Sequence, residues 1–324
     1  MFPDLEELRS AGKRTLARVL TKVETGFGDP QTAAFLDQSA ANPKGHVLGL
    51  TGPPGVGKST LTDALIRFYR ASGKRVGVLA VDPSSMLTGG ALLGDRTRLS
   101  GDPEDDHLFV RSMAARDRLG GLSDHAVAAI VVLRAVCDLV LVETVGIGQS
   151  EGDLKQVADT VVLCIQPGSG DSLQFMKAGI MELPDVVAVT KSDMGAVARR
   201  AVADVLGALS LSSAFGDDWK VPVCLVSAVG GEGLPELVGE ADAHIAFLIE
   251  SGQLGRRRQA QKQSWYVDMV RTEFGKMGVD ASRIVDPGGE ADPSRAPFSA
   301  FAAFSTRLKK KLLSTANGHD TDQN

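Results

Sequence analysis

The chain has 324 residues, 43% hydrophobic and 23% charged, with a net charge of −5. That length suits one large α/β domain with additions at each end, and the acidic balance argues against a general nucleic-acid binder. No apolar run reaches the roughly 20 residues of a membrane span, and Asp4, Glu6 and Glu7 interrupt the place where a signal peptide would be apolar. Cys137, Cys164 and Cys224 each lie in an apolar run far from the others. That is the pattern of buried thiols in a reducing cytoplasm, not of a disulfide framework or a zinc site.

Leu5, Leu8, Leu16, Val19 and Leu20 have helical spacing, so residues 4–24 are expected to be helical with Asp4 as N-cap, and a second helix is expected over 31–41. The organisation expected is a helical extension over 1–44, a nucleotide-binding domain over 45–250 and a helical C-terminal arm over 251–324 with a disordered end. In the central domain, apolar strands over 47–50, 76–81, 139–143, 160–165, 186–190 and 221–226 alternate with helices. Such alternation predicts an α/β fold with a doubly wound, mainly parallel sheet, which binds ligands at the carboxyl ends of its strands.

After the first strand comes Gly52-Pro53-Pro54-Gly55-Val56-Gly57-Lys58-Ser59, followed by a helix from Thr60: the P-loop of a P-loop NTPase. Gly52, Gly55 and Gly57 allow backbone conformations that turn successive N–H groups toward a β-phosphate. Lys58 is placed to bridge the β- and γ-phosphates, Ser59 to offer its hydroxyl to Mg²⁺, and the helix to face the anion with its positive end.

Further candidates follow the other strands. Asp82 ends the second, and Asp95 stands in Gly94-Asp95-Arg96-Thr97-Arg98; both suit the Mg²⁺ side, although Asp95 reads equally well as a cap or turn residue. After the third strand, Glu143 occupies the Walker B position, where a carboxylate holds a metal-bound water, and the N–H of Gly146 can meet the γ-phosphate. After the fifth comes Thr190-Lys191-Ser192-Asp193, like the guanine-reading NKxD motif except for Thr in place of Asn. A carboxylate at Asp193 accepts from guanine N1–H and the N2 amino group, which adenine does not present in that form. Lys191 would lay its stem along the base. Ser227 and Ala228, after the sixth strand, would supply the backbone contact to guanine O6. GTP is therefore favoured over ATP.

Helices are expected over 234–249, 259–277 and 298–313, and a linker over 286–297 where Pro287, Gly288, Gly289, Pro293 and Pro297 cluster. The arm has apolar positions at Val267, Val270, Phe274, Met277, Phe301, Phe304, Leu308 and Leu312. These need cover, either in a homodimer or by packing back onto the same chain. Lys309-Lys310-Lys311 reads as a solvated helix end.

Taken together, Gly52–Thr60, Val81–Ser85, Thr88-Gly89-Gly90, Leu93-Gly94-Asp95 and Glu143 to Glu151 resemble the successive signatures of the MeaB/ArgK (in animals MMAA) GTPases. These are chaperones of cobalamin-dependent acyl-CoA mutases. The resemblance runs to about Leu248. It implies GTP/GDP and Mg²⁺ as ligands, a mutase client, most simply methylmalonyl-CoA mutase, whose cofactor loading is gated, and a homodimer through the arm. The chain departs from the family's usual residues at Thr190, and at Ser172 in the loop Pro167 to Gln174, where the family usually has Glu. Gln149, Arg96 and Arg98 are possible catalytic helpers. Two other classes stay open: an ATP-dependent kinase linked to amino-acid transport, and a GTP-dependent metallochaperone, for which clustered His or Cys near the P-loop would be needed.

Overall fold

The computed structural model describes residues 1–83, 104–115, 122–144, 150–168, 182–212, 218–285 and 292–318. Strands β1 (His46–Thr51), β2 (Val76–Pro83), β3 (Leu108–Ala115), β4 (Leu139–Thr144), β5 (Thr160–Ile165), β6 (Val186–Val189) and β7 (Val223–Leu225) form one sheet. Their order is β3-β2-β4-β1-β5-β6-β7, and every pair is parallel. β3 is the strand that sequence reading missed. It lies at the edge, pairs with β2 along its whole length, and carries Arg111 and Ser112 where a central strand would be apolar. An edge strand with a solvated side does not need a continuous apolar run.

Helices cover both faces. On one side pack α4 (Lys58–Ala71) and the later helix α8 (Leu234–Glu250). On the other lie α5 (Asp124–Val136), whose residues from Ala126 to Val136 are all buried, the short α6 (Ser150–Leu154) and, over β5 and β6, α7 (Ala196–Ser212). A helix buried all round needs a second layer over it. The chain ends supply that layer: α1 (Leu5–Ser10), α2 (Lys13–Thr25), α3 (Pro30–Ala41), α9 (Gln253–Val285) and α10 (Pro297–Gly318) share one apolar cluster with α5 and the sheet. This cluster crosses both boundaries expected at 44/45 and 250/251.

The local departures have local causes. The first expected helix is two, parted at Ala11 and Gly12, and α1 opens with a capping box in which Asp4 accepts from the backbone of Glu6 while Glu7 reaches back to Asp4. Helix α9 breaks at Gly275, whose φ of 66° is open to glycine and costly for other residues. The apolar positions of the arm pack back onto the chain: Val270, Phe301 and Phe304 are buried, while Val267, Phe274 and Leu308 are partly covered by the same cluster. Met277 is 85% exposed, and the side chain of Leu312 lies outside the described residues. The three cysteines are free and buried, and burial pushes each thiol up to about 12.

At the amino ends of the strands, α9 is clasped to the sheet by charge. Asp159 accepts from the backbone N–H of Val47 at 2.8 Å and from Arg258 at 2.9 and 2.8 Å. Asp185 likewise accepts from Val161 N–H at 2.8 Å and from Arg257 at 3.0 and 3.1 Å. Arg134, 1% exposed on α5, makes no hydrogen bond through its guanidinium to the described residues and faces the ring of Trp265, 5.9 Å from its centroid. Burial pulls its pKa down to about 10, so it stays charged at neutral pH.

Burial by itself would raise the Asp159 carboxyl, but the hydrogen bonds and charge of Arg258, with Arg134 and the Val47 amide, hold it below the ordinary carboxylate range. Its stabilisation is thus full above the ordinary value of about 3.9 and is lost as pH falls through the lower folded value. We expect Asp159→Asn to cost about 3–5 kcal/mol in urea unfolding at neutral pH, because buried Arg134 and half-buried Arg258 are left without their counter-charge. The gap to wild type should narrow in acid. A variant as stable as wild type at neutral pH would show that the clasp does not hold the arm.

Candidate nucleotide site

The P-loop joins the end of β1 to the start of α4 at the carboxyl edge of the sheet. Gly52 has φ of 139°, and a Cβ there would sit 2.3 Å from the Cys164 carbonyl oxygen, so only glycine lets the loop pass over β5. Gly57, with φ of 98°, turns the chain into α4. Val56 is buried and anchors the loop, while Pro54, Gly55 and Thr60 are exposed and Pro53 is half-buried.

Lys58 is 7% exposed and folds over its own loop, its ammonium donating to the carbonyls of Gly52 at 2.7 Å and Pro53 at 3.0 Å. Opposite it, β4 lies beside β1 with Glu143 in register with Leu50. That register brings a carboxylate 84 residues away in sequence against the helix start: Ser59 Oγ donates to Glu143 Oε1 at 2.6 Å. Thr62, one turn further along α4, lies 2.9 Å from Glu143 Oε2. Because the Ser59 proton points at the carboxylate, its lone pairs can face a cation. Hydroxyl and carboxylate oxygens are the donors a hard ion such as Mg²⁺ takes, so these residues fit that metal.

On the base side, Lys191 adopts a left-handed conformation at φ 56° and ψ 51°, and its ammonium donates to Gln166 Oε1 at 2.7 Å and reaches the Gly55 carbonyl at 3.3 Å. Asp193 is exposed on the short 3₁₀ turn Ser192–Met194, where its carboxylate is open to a base. Thr190 is buried, and its hydroxyl lies 2.8 Å from the Val56 carbonyl and 3.2 Å from that of Ile165. The residue that departs from NKxD therefore still touches the P-loop. Ser227 is buried; its N–H donates to the Glu232 carbonyl and its hydroxyl accepts from Gly230 N–H. With that N–H engaged, half-buried Ala228 is the backbone position of the pair that can meet guanine O6.

The structure thus brings Lys58, Ser59 and Glu143 together, and sets Lys191, Asp193, Ser227 and Ala228 on the neighbouring strand ends. Asp82 stands one residue before the end of β2, in register with Ala114, while its side chain lies outside the described residues. Asp95, Gly146, Arg96, Arg98, Gln149, Asp171, Ser172 and Gln174 lie outside them as well. Thr62, Gln166 and Glu232 were missed in the sequence. Only Thr62 had a local signal there, standing three and four residues after Ser59 and Lys58 on one helix face.

The family model for the methylmalonyl Co-A mutase-associated GTPase MeaB matches residues 16–282. A Pyrococcus horikoshii protein that bears a GTPase name is 42% identical over 267 residues, 79% of this chain and 81% of that one. The mouse mitochondrial methylmalonic aciduria type A homolog is 36% identical over 270 residues, 82% of this chain and 64% of that one. Among solved structures, an LAO/AO transport system kinase superposes with a TM-score of 0.66 at 25% identity, covering 94% of this chain and 96% of its own. The chain is a P-loop GTPase and belongs to the family of methylmalonyl Co-A mutase-associated GTPases, MeaB.

Proposed function

We propose that this GTPase is Mg²⁺-dependent and serves a cobalamin-dependent acyl-CoA mutase, methylmalonyl-CoA mutase in the first instance, gating the loading of its cofactor and protecting or reactivating it in the cytoplasm. The observation that carries the nucleotide chemistry is the contact of Ser59 with Glu143 at 2.6 Å beside the P-loop lysine. The client is carried by the family model and by the mouse relative. Among the described residues no helix is long and apolar enough to cross a membrane.

The residues divide the work as follows. Lys58 leaves the carbonyls of Gly52 and Pro53 and turns its charge to the β- and γ-phosphates, while the backbone N–H groups from Gly55 to Ser59 take the remaining phosphate oxygens. Ser59 and Glu143, with Asp82 and Asp95 as further candidates, would hold Mg²⁺. When bound, that ion neutralises charge developing on the phosphates. The N–H of Gly146 would meet the γ-phosphate and register its loss. Lys191 and Asp193 select guanine, and the Ala228 backbone meets O6. Hydrolysis releases the loops that the γ-phosphate holds, which gives the mutase two states to distinguish.

The homodimer implied by the resemblance has a narrower physical basis, since most of the arm's apolar positions are covered within the chain and, among its described residues, Met277 alone is a largely exposed large apolar side chain. Light scattering on size-exclusion peaks reads both questions. The chain alone should run as a dimer if the arm pairs, and a monomeric mass would remove that proposal. With methylmalonyl-CoA mutase present, a joint peak should form whose amount depends on a non-hydrolysable GTP analogue, and GTP turnover should rise. Absence of both the peak and the acceleration would reject this client.

A second reading comes from the likeness to the LAO/AO transport system kinase, since a kinase of that kind would take its phosphoryl group from ATP. The base decides between them. An Asn at position 193 sets its NH₂ against the guanine amino group, whereas xanthine, with a carbonyl at C2, restores both hydrogen bonds. Each unpaired buried group costs about 1–3 kcal/mol. In competition binding of GTP, ATP and XTP, we expect wild type to prefer GTP and Asp193→Asn to gain on XTP by about ten-fold or more in relative affinity. A wild-type preference for ATP would favour the kinase.

A further inference from the structure

The position of Glu143 raises a question of reach. Its Cα is fixed between β1 and β2, in register with Leu50 and Ala80. A glutamate has one more rotatable bond than an aspartate, so a fixed backbone leaves several staggered positions for its carboxylate. One contact, that of Ser59 with Oε1, does not fix the plane of the group. The second oxygen is met by Thr62 Oγ1 at 2.9 Å, with Thr62 fully buried and Glu143 at 9% exposure.

The Thr62 hydroxyl also lies 3.0 Å from the Lys58 carbonyl, one turn back on α4, and has a single proton to give. The ionised carboxylate is the stronger acceptor, since hydrogen bonds to charged groups are about twice as strong as neutral ones. Ser59 and Thr62 stand three residues apart on one face of a helix, so the two oxygens of one carboxylate meet the two hydroxyls of one rigid element. The hydroxyl one turn into the helix is unexposed, and among the described residues it meets the Lys58 carbonyl and Glu143.

We propose that Thr62 is a positioning residue for Glu143. It holds Oε2, fixes the carboxylate plane, and so orients Oε1 and the Ser59 hydroxyl toward the metal side of the phosphates. The proposal rests on the Mg²⁺-dependent reading above. Thr62 itself touches neither metal nor nucleotide. A valine there keeps the β-branched shape and loses the donor, while a serine keeps the donor and loses a methyl group.

The test is a Mg²⁺ titration of the complex with a fluorescent GDP analogue, read as nucleotide release, alongside GTP turnover, for wild type, Thr62→Val and Thr62→Ser. Thr62→Val should need about ten-fold more Mg²⁺ to retain nucleotide, the effect of losing one hydrogen bond to a charged group. It should lower kcat with little change in GDP affinity in EDTA. Thr62→Ser should restore most of both, and in a Glu143→Ala background Thr62→Val should add nothing. If Thr62→Val does not fold, Thr62→Ala carries the same expectations. A wild-type Mg²⁺ requirement in Thr62→Val overturns the proposal. So does an equal loss in Thr62→Ser, or a further loss in the Glu143→Ala background, each of which would make Thr62 a packing residue. A wild type indifferent to Mg²⁺ would instead remove the reading on which the proposal rests.

Discussion

The hydrogen bond from Ser59 to Glu143, 2.6 Å long, joins two parts of the chain that only the sheet can bring together. Ser59 stands where the P-loop enters α4, and Glu143 near the end of β4, which the chain reaches only after β2, β3 and α5. A doubly wound sheet places β4 beside β1, so the carboxylate arrives next to the phosphate loop without any loop having to carry it there. Strand register, not a flexible connection, sets the distance. The conformations of Gly52 and Gly57 then keep the loop close enough for the pair to meet.

Below the site the same strands are held by a different chemistry. Asp159 and Asp185 stand at the amino ends of β5 and β6 and receive Arg258 and Arg257 from the first turns of α9. These contacts fix where α9 begins, and its apolar face then closes over α5 with Trp265, Met269 and Val270. The C-terminal segment is therefore part of the layer that covers α5, which has no solvent-facing side of its own. This is why its apolar residues do not by themselves call for a second copy of the chain.

Much of this was legible in the sequence because phosphate binding needs a local motif. Three glycines, a lysine and a serine at fixed spacing between a strand and a helix leave few alternatives, and six of the seven strands announced themselves as apolar runs. The edge strand β3 did not, since Arg111 and Ser112 occupy positions that a central strand could not give to polar groups. Thr190 reads in the sequence as a departure from the guanine motif, but its hydroxyl reaches the Val56 carbonyl at 2.8 Å and so keeps a link to the P-loop. The packing of the arm against α5 and the pairing of Thr62 with Glu143 depend on separations in space. Sequence distance hides these; the second pair is 81 residues apart.

The central claim is that Lys58, poised over the carbonyls of Gly52 and Pro53, belongs to the site of GTP hydrolysis. It is tested most directly by single-turnover hydrolysis of GTP with Mg²⁺ by wild type and Lys58→Ala, with thermal unfolding of both. The account predicts slow turnover in wild type, loss of turnover in the variant, and closely similar unfolding temperatures, because the ammonium compensates phosphate charge and takes no part in core packing. Wild-type turnover in a folded Lys58→Ala protein would contradict it and move the chemistry away from this P-loop.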